Sequence, residues 1–580
     1  MTASERREGV GLLGLMTLGM LLETLSVGLV IPALAFMTQT DLPSRFPALA
    51  RLLAPFGPVS REQLVVGGLL ALVLIYVLKG VFLAFLTWRK LRFVFGVQAQ
   101  MSRRLFAGYL RQAYTFHIQR NSAELIRNAL GEVYEITHHG LYEALRFIAE
   151  ILVILGILSL LLYIEPFGAA VSIATLGLFG GGFYLLTRKR MLRWGELRQV
   201  HERMRLQQLQ EGFGGVKDLK LLGREGAFIE SYGVHADGYA RVGRNQNTLQ
   251  ELPRLMLEIL AVGAFAALVI VMLSRGGTFD ALLPTLGLFA AAAFRIMPSA
   301  NRIMNSVQIM RHAMPVVGTL TAELDTLAPE EPAHAAAPLK FERELRVDGV
   351  SFSYPAADSP SLRDVSLTIR AGESVGFVGG SGSGKSTLID VILGLLAPQS
   401  GSVLVDGVDV RDSLRSWQDK IGYVRQQIFL TDDTLRRNIA FGIPDADIDE
   451  HALQRALRAA QLEEFVTTLP AGLNTLVGER GVRLSGGQLQ RIGIARALYH
   501  DPPVLVLDEA TSALDTTTER EVMSAVRALH GTKTVIIVAH RLTTVADCDY
   551  LHRLEAGRIV QTGSPSTLIV PVSDAHRNAG

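Results

Sequence analysis

A run of about twenty apolar residues leaves a chain few folds, because hydrocarbon offers its backbone no hydrogen-bond partner. This chain has six such runs before residue 305: Val10–Met37, Leu64–Trp88, Phe147–Ile164, Phe167–Leu186, Leu255–Leu273 and Ala281–Met304. Six runs in one half-chain predict six transmembrane helices rather than a soluble core. Composition agrees. Mean hydropathy is +0.28, and charged residues are 19% of the 580, below the roughly 25% of soluble proteins. That excludes a disordered chain and argues against an ordinary soluble enzyme.

The net charge of +2 conceals an asymmetry. Residues 1–325 hold 32 Lys and Arg against 23 Asp and Glu, whereas residues 326–580 hold 25 against 32. Basic residues also orient the bundle. Segments 89–145 and 188–252 carry 8 and 12, while the opposite loops carry only Arg45, Arg51, Arg61 and Arg275. Excess positive charge stays on the cytoplasmic side, which places both termini there. The polar but periodic inside segments predict helices that run on into the cytoplasm. Arg6, Arg7 and Ala33-Leu34-Ala35 imitate a signal peptide, but the apolar stretch is too long and Glu23 interrupts it. One cysteine, Cys548, excludes an intrachain disulfide and a cysteine-based metal cluster.

Two features of this half bear on a ligand. Between the first two runs, residues 42–57 place Phe46, Leu49, Leu52, Leu53 and Phe56 near helical spacing. Either an amphipathic helix on the membrane surface or a loop packed on the bundle fits this pattern. Lys79, Glu150, Glu258 and Arg295 lie within apolar runs, with Arg254 and Arg302 near their inner ends. Charge in a membrane is expensive and faces a partner or a wet cavity. For each residue an internal ion pair competes with a binding role; together, the basic excess suggests an anionic ligand group.

Residues 326–340, with three prolines and few bulky side chains, read as a linker. The expected division is a membrane domain over 1–325, a second domain over 341–565 and a flexible tail over 566–580. Beyond the linker, strands alternate with helices, which predicts an α/β sheet. Gly379-Gly380-Ser381-Gly382-Ser383-Gly384-Lys385-Ser386-Thr387 follows the apolar strand Ser374–Val378 and opens a helix over Thr387–Leu395. This is a phosphate-binding loop in its required context. Its glycines let backbone N–H groups turn inward, the helix N-terminus adds positive potential, Lys385 would reach the β- and γ-phosphates, and Ser386 would ligate Mg²⁺. A second buried strand, Val504–Leu507, delivers Asp508 and Glu509, suited to holding Mg²⁺ through water and to orienting the attacking water. His540 ends a third strand, Val535–Ala539, where a γ-phosphate contact is plausible. ATP and Mg²⁺ are therefore the expected cofactors.

Leu484-Ser485-Gly486-Gly487-Gln488, just before a helix, resembles the signature motif of ATP-binding cassette (ABC) transporters. The resemblance implies a membrane α-helical domain of six transmembrane helices (exporter-type ABC fold) fused to an α/β P-loop nucleotide-binding domain. It implies that Ser485, Gly486, Gly487 and Gln488 close on ATP held by a second subunit, so the chain works as a homodimer. It further implies that Tyr354 stacks on adenine, that Gln426 senses Mg²⁺ and the membrane domain, and that Asp515 belongs to the D-loop. Glu479-Arg480-Gly481 resembles the exporter X-loop, and residues 121–126 and 212–225 would be coupling elements. Arg425 and Leu489 depart from the usual pattern at positions that touch no phosphate.

Stretches of the membrane half are also similar to the bacterial lipid-linked oligosaccharide flippases of N-glycosylation. They include Glu23–Pro32, Tyr76–Lys79, Ser122–Tyr134 and Arg295–Ile303. This implies a multi-pass protein of the bacterial cytoplasmic membrane, with membrane lipid and a polyprenyl-pyrophosphate-linked glycan as partners. The pyrophosphate would sit on Lys79, Arg254, Arg295 and Arg302, and the lipid tail near Leu49, Leu52 and Leu53. Lys79 stands where arginine is expected, which keeps charge but loses bidentate geometry. The alternative is export of a drug, a peptide or a different lipid such as lipid A; an ATP-gated channel or sensor is a more distant one. No basic stripe marks the acidic half, so nucleic acid is not an expected partner.

Overall fold

The computed structural model describes residues 3–30, 61–164, 166–274, 279–327, 339–355, 357, 359–478, 484–510, 516–539 and 541–568. Contacts divide the chain into two compact units: Met1–Gln112 with Arg120–Pro329, and Ala113–Gln119 with Glu330–Gly580.

The first unit is helical. Helices α1 (Ala3–Gly28) and α2 (Arg61–Leu110) are followed by the short α3 (Tyr114–Gln119) and α4 (Ser122–Arg127). Then come α5 (Glu143–Ile164), α6 (Pro166–Gly214), the short α7 (Val216–Leu222), α8 (Glu225–Ser274) and α9 (Phe279–Thr326). The six apolar runs fall on six different long helices, the first continuing beyond the described residues. Among the described residues, Ser4–Gly28, Val66–Leu110 and Glu124–Ile164 are long and apolar enough to cross a membrane. α2 and α8 have 50 residues each, or about 75 Å at 1.5 Å per residue, more than twice the hydrocarbon thickness. Apolar run and polar extension thus form one rod, as the periodic polar segments predict. Between α4 and α5 the backbone widens into π-helical turns over Asn128–Glu132 and Glu135–Tyr142, which hydrophobic spacing does not reveal.

In membranes, helices approach closely where small residues allow it. Gly156 on α5 is such a point, since a Cβ there would collide with Thr24 and Met20 of α1. Val27, Ile157, Leu161, Leu288 and Ala292 form one buried cluster; Leu12, Met16, Leu86, Val94 and Leu145 form another.

The second unit holds two sheets. Strands β1 (Glu344–Phe352), β2 (Leu362–Arg370), β4 (Ser400–Val405) and β5 (Val408–Asp409) form an antiparallel sheet in the order β2-β1-β4-β5. The other sheet contains β3 (Ser374–Val378), β6 (Ile421–Val424), β7 (Val504–Asp508), β8 (Thr534–Val538), β9 (Tyr550–Glu555) and β10 (Arg558–Gly563). Its order is β10-β9-β3-β8-β7-β6, parallel except for β10. Both faces of β3 and β8 are buried, which is why these strands are unbroken apolar runs. Helices α10 (Lys385–Ile392), α11 (Glu450–Ala459), α12 (Gly486–Leu498) and α13 (Thr516–Arg527) complete the parts used below.

Some boundaries move. The helix expected at Thr387–Leu395 is α10, which starts at Lys385 because left-handed Gly384 is its N-cap and ends before left-handed Gly394. The strand expected at Val535–Ala539 is β8, one residue earlier. Leu339, within the expected linker, is buried in the second unit, and its N–H donates to Ser416 Oγ at 2.7 Å. α3 groups with the second unit, where Tyr114 packs on the core. It precedes the coupling element expected at 121–126, which is α4 of the first unit.

Candidate functional site

Parallel strands deliver loops to one edge of a sheet, and ligands bind at that edge. β3 ends there in the phosphate loop. A Cβ on Gly384 would lie 2.6 Å from the Ser361 carbonyl oxygen, and one on Gly379 would collide with the Leu554 carbonyl. Only glycine lets the loop nest this closely. Lys385 is buried, and its Nζ donates to the carbonyls of Gly379 and Gly380, both at 2.9 Å. Burial pushes its ammonium below the usual lysine range, against the pull of Glu509 and Asp508. Ser383 and Thr387 are buried, while Ser386 and Gly382 face solvent. The Tyr354 hydroxyl lies 3.3 Å from Thr387 Oγ1, which sets its ring beside the loop.

β7, two strands from β3, presents the carboxylates. Tyr423 of β6 donates its hydroxyl to Asp508 Oδ2 at 3.2 Å. Asp508 Oδ1 is buried with no hydrogen bond. Burial pushes this carboxyl above its usual range, and the Tyr423 bond works against the rise. Burial, then the charge of Asp508, pushes Asp390 of α10 up to about 6. Glu509 adopts φ 49°, in the left-handed region that few non-glycine residues enter. Gln426 Nε2 donates to Glu509 Oε2 at 2.7 Å.

Ser485 is the N-cap of α12: its Oγ accepts from Gln488 N–H, and Gln488 Oε1 accepts from Ser485 N–H. The Ser-x-x-Gln spacing is thus a capping box. Gly486 is exposed and Gly487 is buried in the first turn. Sequence reasoning missed three residues here. Gln490 of α12 donates to the Gln426 carbonyl at 3.1 Å, and no motif announces it. Tyr423 hid as an ordinary strand aromatic. Buried Glu519 of α13 accepts from Arg541 at 2.7 Å and Thr544 at 2.8 Å, tying the helix after the Asp515 segment to the turn after His540. Asp515, His540 and Glu479-Arg480-Gly481 themselves lie outside the described residues, as do Leu49, Leu52, Leu53 and the segment 42–57.

The first unit has its own polar centre. Lys79, Arg295 and Arg302 converge, as the sequence suggested, but not as free cations. Glu23 takes Lys79 at 3.4 Å and Arg295 at 3.0 Å, and Glu150 lies 2.9 Å from Arg302. For these residues the ion-pair alternative is realised: buried charge in this setting demands counter-charge, and α1 and α5 supply it. The side chain of Arg254 lies outside the described residues. A cavity of about 500 Å³ opens beside the cluster, and it adds Lys90 and Arg146, which the sequence reading passed over. The signal was helical spacing: Glu143, Arg146 and Glu150 share one face of α5, and Arg295, Ser299 and Arg302 share one face of α9.

A phosphate loop, a strand two places along the same sheet that ends in Asp508-Glu509, and a serine-capped glycine helix define a P-loop ATPase cassette, here joined to long apolar helices. Residues 362–512 match the ABC transporter family and residues 32–294 match the ABC transporter transmembrane region. Three relatives are each named ATP-dependent lipid A-core flippase. That of Chromobacterium violaceum is 31% identical over 532 residues, 90% of each chain. That of Thiobacillus denitrificans is 32% identical over 546 residues, again 90% of each. That of Alkalilimnicola ehrlichii is 35% identical over 394 residues, covering 67% of this chain and 64% of the relative's length. A solved bacterial Atm1-family ABC exporter with ATP bound has the same fold, with TM-score 0.77 and 24% identity over 98% of this chain and 97% of that one. The chain belongs to the ABC transporter family, as a half-transporter of exporter type that couples ATP hydrolysis to transport. These relatives carry the name of lipid A-core flippases, not of the oligosaccharide flippases that the motif resemblance suggested.

Proposed function

We propose that this protein is an ATP-driven flippase for an anionic amphiphilic lipid of the lipid A-core type, working as a homodimer in the bacterial cytoplasmic membrane. The membrane domain (1–325) would carry the lipid, and the cassette (341–565) would lie in the cytoplasm. The observation that carries this reading is the cavity among the membrane helices. Four basic residues, Lys90, Arg146, Arg295 and Arg302, share its wall with Met16, Met20, Leu83, Leu86 and Val153. Cations beside apolar surface suit a phosphorylated head group attached to acyl chains. The relatives' printed names support the same choice. A polyprenyl-pyrophosphate-linked glycan presents similar head-group charge, and the stretch Arg295–Ile303 keeps it as the comparison substrate.

In the cassette, the loop Gly379–Thr387 would cradle the phosphates of ATP, with Tyr354 against the base. The donor set fits Mg²⁺: Ser386 exposes a hydroxyl, and Asp508 keeps a buried oxygen with no hydrogen bond. Ser386, Gln426 and Asp508 would hold the ion, which would supply charge neutralisation to the phosphates. Glu509, steered by Gln426, would orient and deprotonate the attacking water, and His540 would contact the γ-phosphate. Ser485, Gly486, Gly487, Gln488 and Asp515 of one subunit would close on ATP held by the other.

Reconstitution into liposomes tests the reading. With lipid A-core, ATP should change the head group's accessibility to an external reagent. Zwitterionic phospholipid and drugs should show no such change. Transport of the polyprenyl-linked glycan alone would transfer the assignment to that lipid class.

A further inference from the structure

Glu23 and Glu150 share the wall of the cavity with its basic residues. Glu23 of α1 is 5% exposed and contacts two cations from two other helices: Lys79 of α2 at 3.4 Å, and Arg295 of α9 at 3.0 Å from both Nε and Nη2. Glu150 of α5 is 12% exposed and reaches Arg302 at 2.9 Å and Arg295 at 3.9 Å. Both carboxylates line the same cavity as the arginines.

The hydrogen bonding of this cluster is incomplete. Arg295 Nε, Arg302 Nε and Glu150 Oε2 are buried, and none has a properly directed hydrogen bond, although the charges are in contact. The contrast is Glu143, two turns away on the same helix. Its two oxygens take Ser306 Oγ at 2.5 Å and Arg146 at 3.3 Å. An ion pair kept for stability in a low-dielectric setting needs its remaining donors and acceptors satisfied. Glu143 meets that condition, and Glu23 meets it through Lys79 and Arg295, whereas Glu150 and the Nε atoms of Arg295 and Arg302 do not. A tetrahedral phosphate offers several acceptor oxygens and can take guanidinium groups bidentately, so it would satisfy these donors better than the carboxylates do.

We propose that Glu23 and Glu150 are built-in counter-ions that a polyanionic head group must displace, and that they thereby select ligands carrying at least two negative charges. The inference rests on the reading of an anionic lipid substrate given above. Four cations and two carboxylates line the cavity. A head group with two negative charges replaces both carboxylates without loss of balance. A zwitterion does not, because moving the glutamates aside leaves arginines uncompensated. About 500 Å³ is room for a phosphorylated sugar head group, though not for its acyl chains as well.

The test uses the full-length transporter in phosphatidylcholine nanodiscs, with ATPase stimulation followed as lipid is titrated. The probes are bis-phosphorylated lipid A, singly charged phosphatidylglycerol, zwitterionic phosphatidylethanolamine and soluble pyrophosphate. Glu150→Gln should lower the lipid A concentration for half-maximal stimulation by about tenfold, the effect of removing one repulsion of roughly 1.4 kcal/mol. It should also let phosphatidylglycerol stimulate. Glu23→Gln should act in the same direction. Glu150→Gln with Arg302→Gln, which restores the charge balance, should return the wild-type preference for lipid A over phosphatidylglycerol. An unchanged or raised half-maximal concentration in a folded Glu150→Gln protein overturns the proposal. Should Glu23→Gln not fold, the Glu150 pair of variants decides. Lack of response of the wild type to any anionic lipid removes both this inference and the substrate reading. A wild-type response with no shift in the variants removes this inference alone. Soluble pyrophosphate matching lipid A in the wild type overturns the lipid head group as the ligand.

Discussion

Tyr423→Phe isolates one bond of the ATPase site. The hydroxyl donates to Asp508 Oδ2 at 3.2 Å from the adjacent strand, while Oδ1 has no hydrogen bond. The bond therefore fixes the carboxylate plane and leaves Oδ1 without a hydrogen bond, available to the Mg²⁺ that Asp508 is proposed to hold. Phenylalanine keeps the ring packing between β6 and β7 and removes only the donor. A hydrogen bond to a charged group contributes about 1.5–3 kcal/mol. At 3.2 Å the lower end applies, and about 1.4 kcal/mol is a factor of ten. The Mg²⁺ concentration for half-maximal ATPase should rise about tenfold in the variant. Two measurements check this: an ATPase titration in Mg²⁺, and binding of a fluorescent ATP analogue with and without Mg²⁺. Affinity without Mg²⁺ should be unchanged, because the phosphate loop is untouched. An unchanged Mg²⁺ midpoint, or an equal loss of nucleotide affinity without Mg²⁺, would refute the positioning role.

Glu509→Gln keeps a side chain of the same shape near Gln426 but removes the base; steady-state ATPase should fall about 10²–10⁴-fold with nucleotide binding retained, and turnover above a tenth of wild type would sink this role. His552 is buried, stacks on Phe377 and bonds Thr562 at 2.8 Å; burial pushes its pKa down to about 4. A folded-state pKa below the unfolded value near 6.5 means stability is full above pH 6.5 and is lost as pH falls toward 4. The loss between pH 7 and 5 should be about 2 kcal/mol, read as a drop in thermal midpoint that His552→Leu flattens. Gly156→Val should cost about 1–3 kcal/mol by forcing α5 from α1, visible as a lowered midpoint in nanodiscs, whereas an unchanged midpoint would show that the close approach does not matter.

The linear order of residues determined much of this protein, because much of its physics is local. Twenty apolar residues demand a helix wherever they lie, and a glycine-rich loop between a buried strand and a helix can nest phosphate without help from distant parts. So the membrane helices, the phosphate loop, the strand ending in Asp508-Glu509 and the segment Leu484–Gln488 were legible. Tertiary structure decided what depends on neighbours far apart in the chain. Tyr423 lies 85 positions from Asp508, and Arg295 lies 272 from Glu23. No periodicity relates such pairs. The sequence therefore showed Glu23, Glu150 and the basic residues in apolar runs, but not which of them face one another. Whether a buried charge is a binding group or half of an ion pair depends on what stands opposite, and packing alone puts it there.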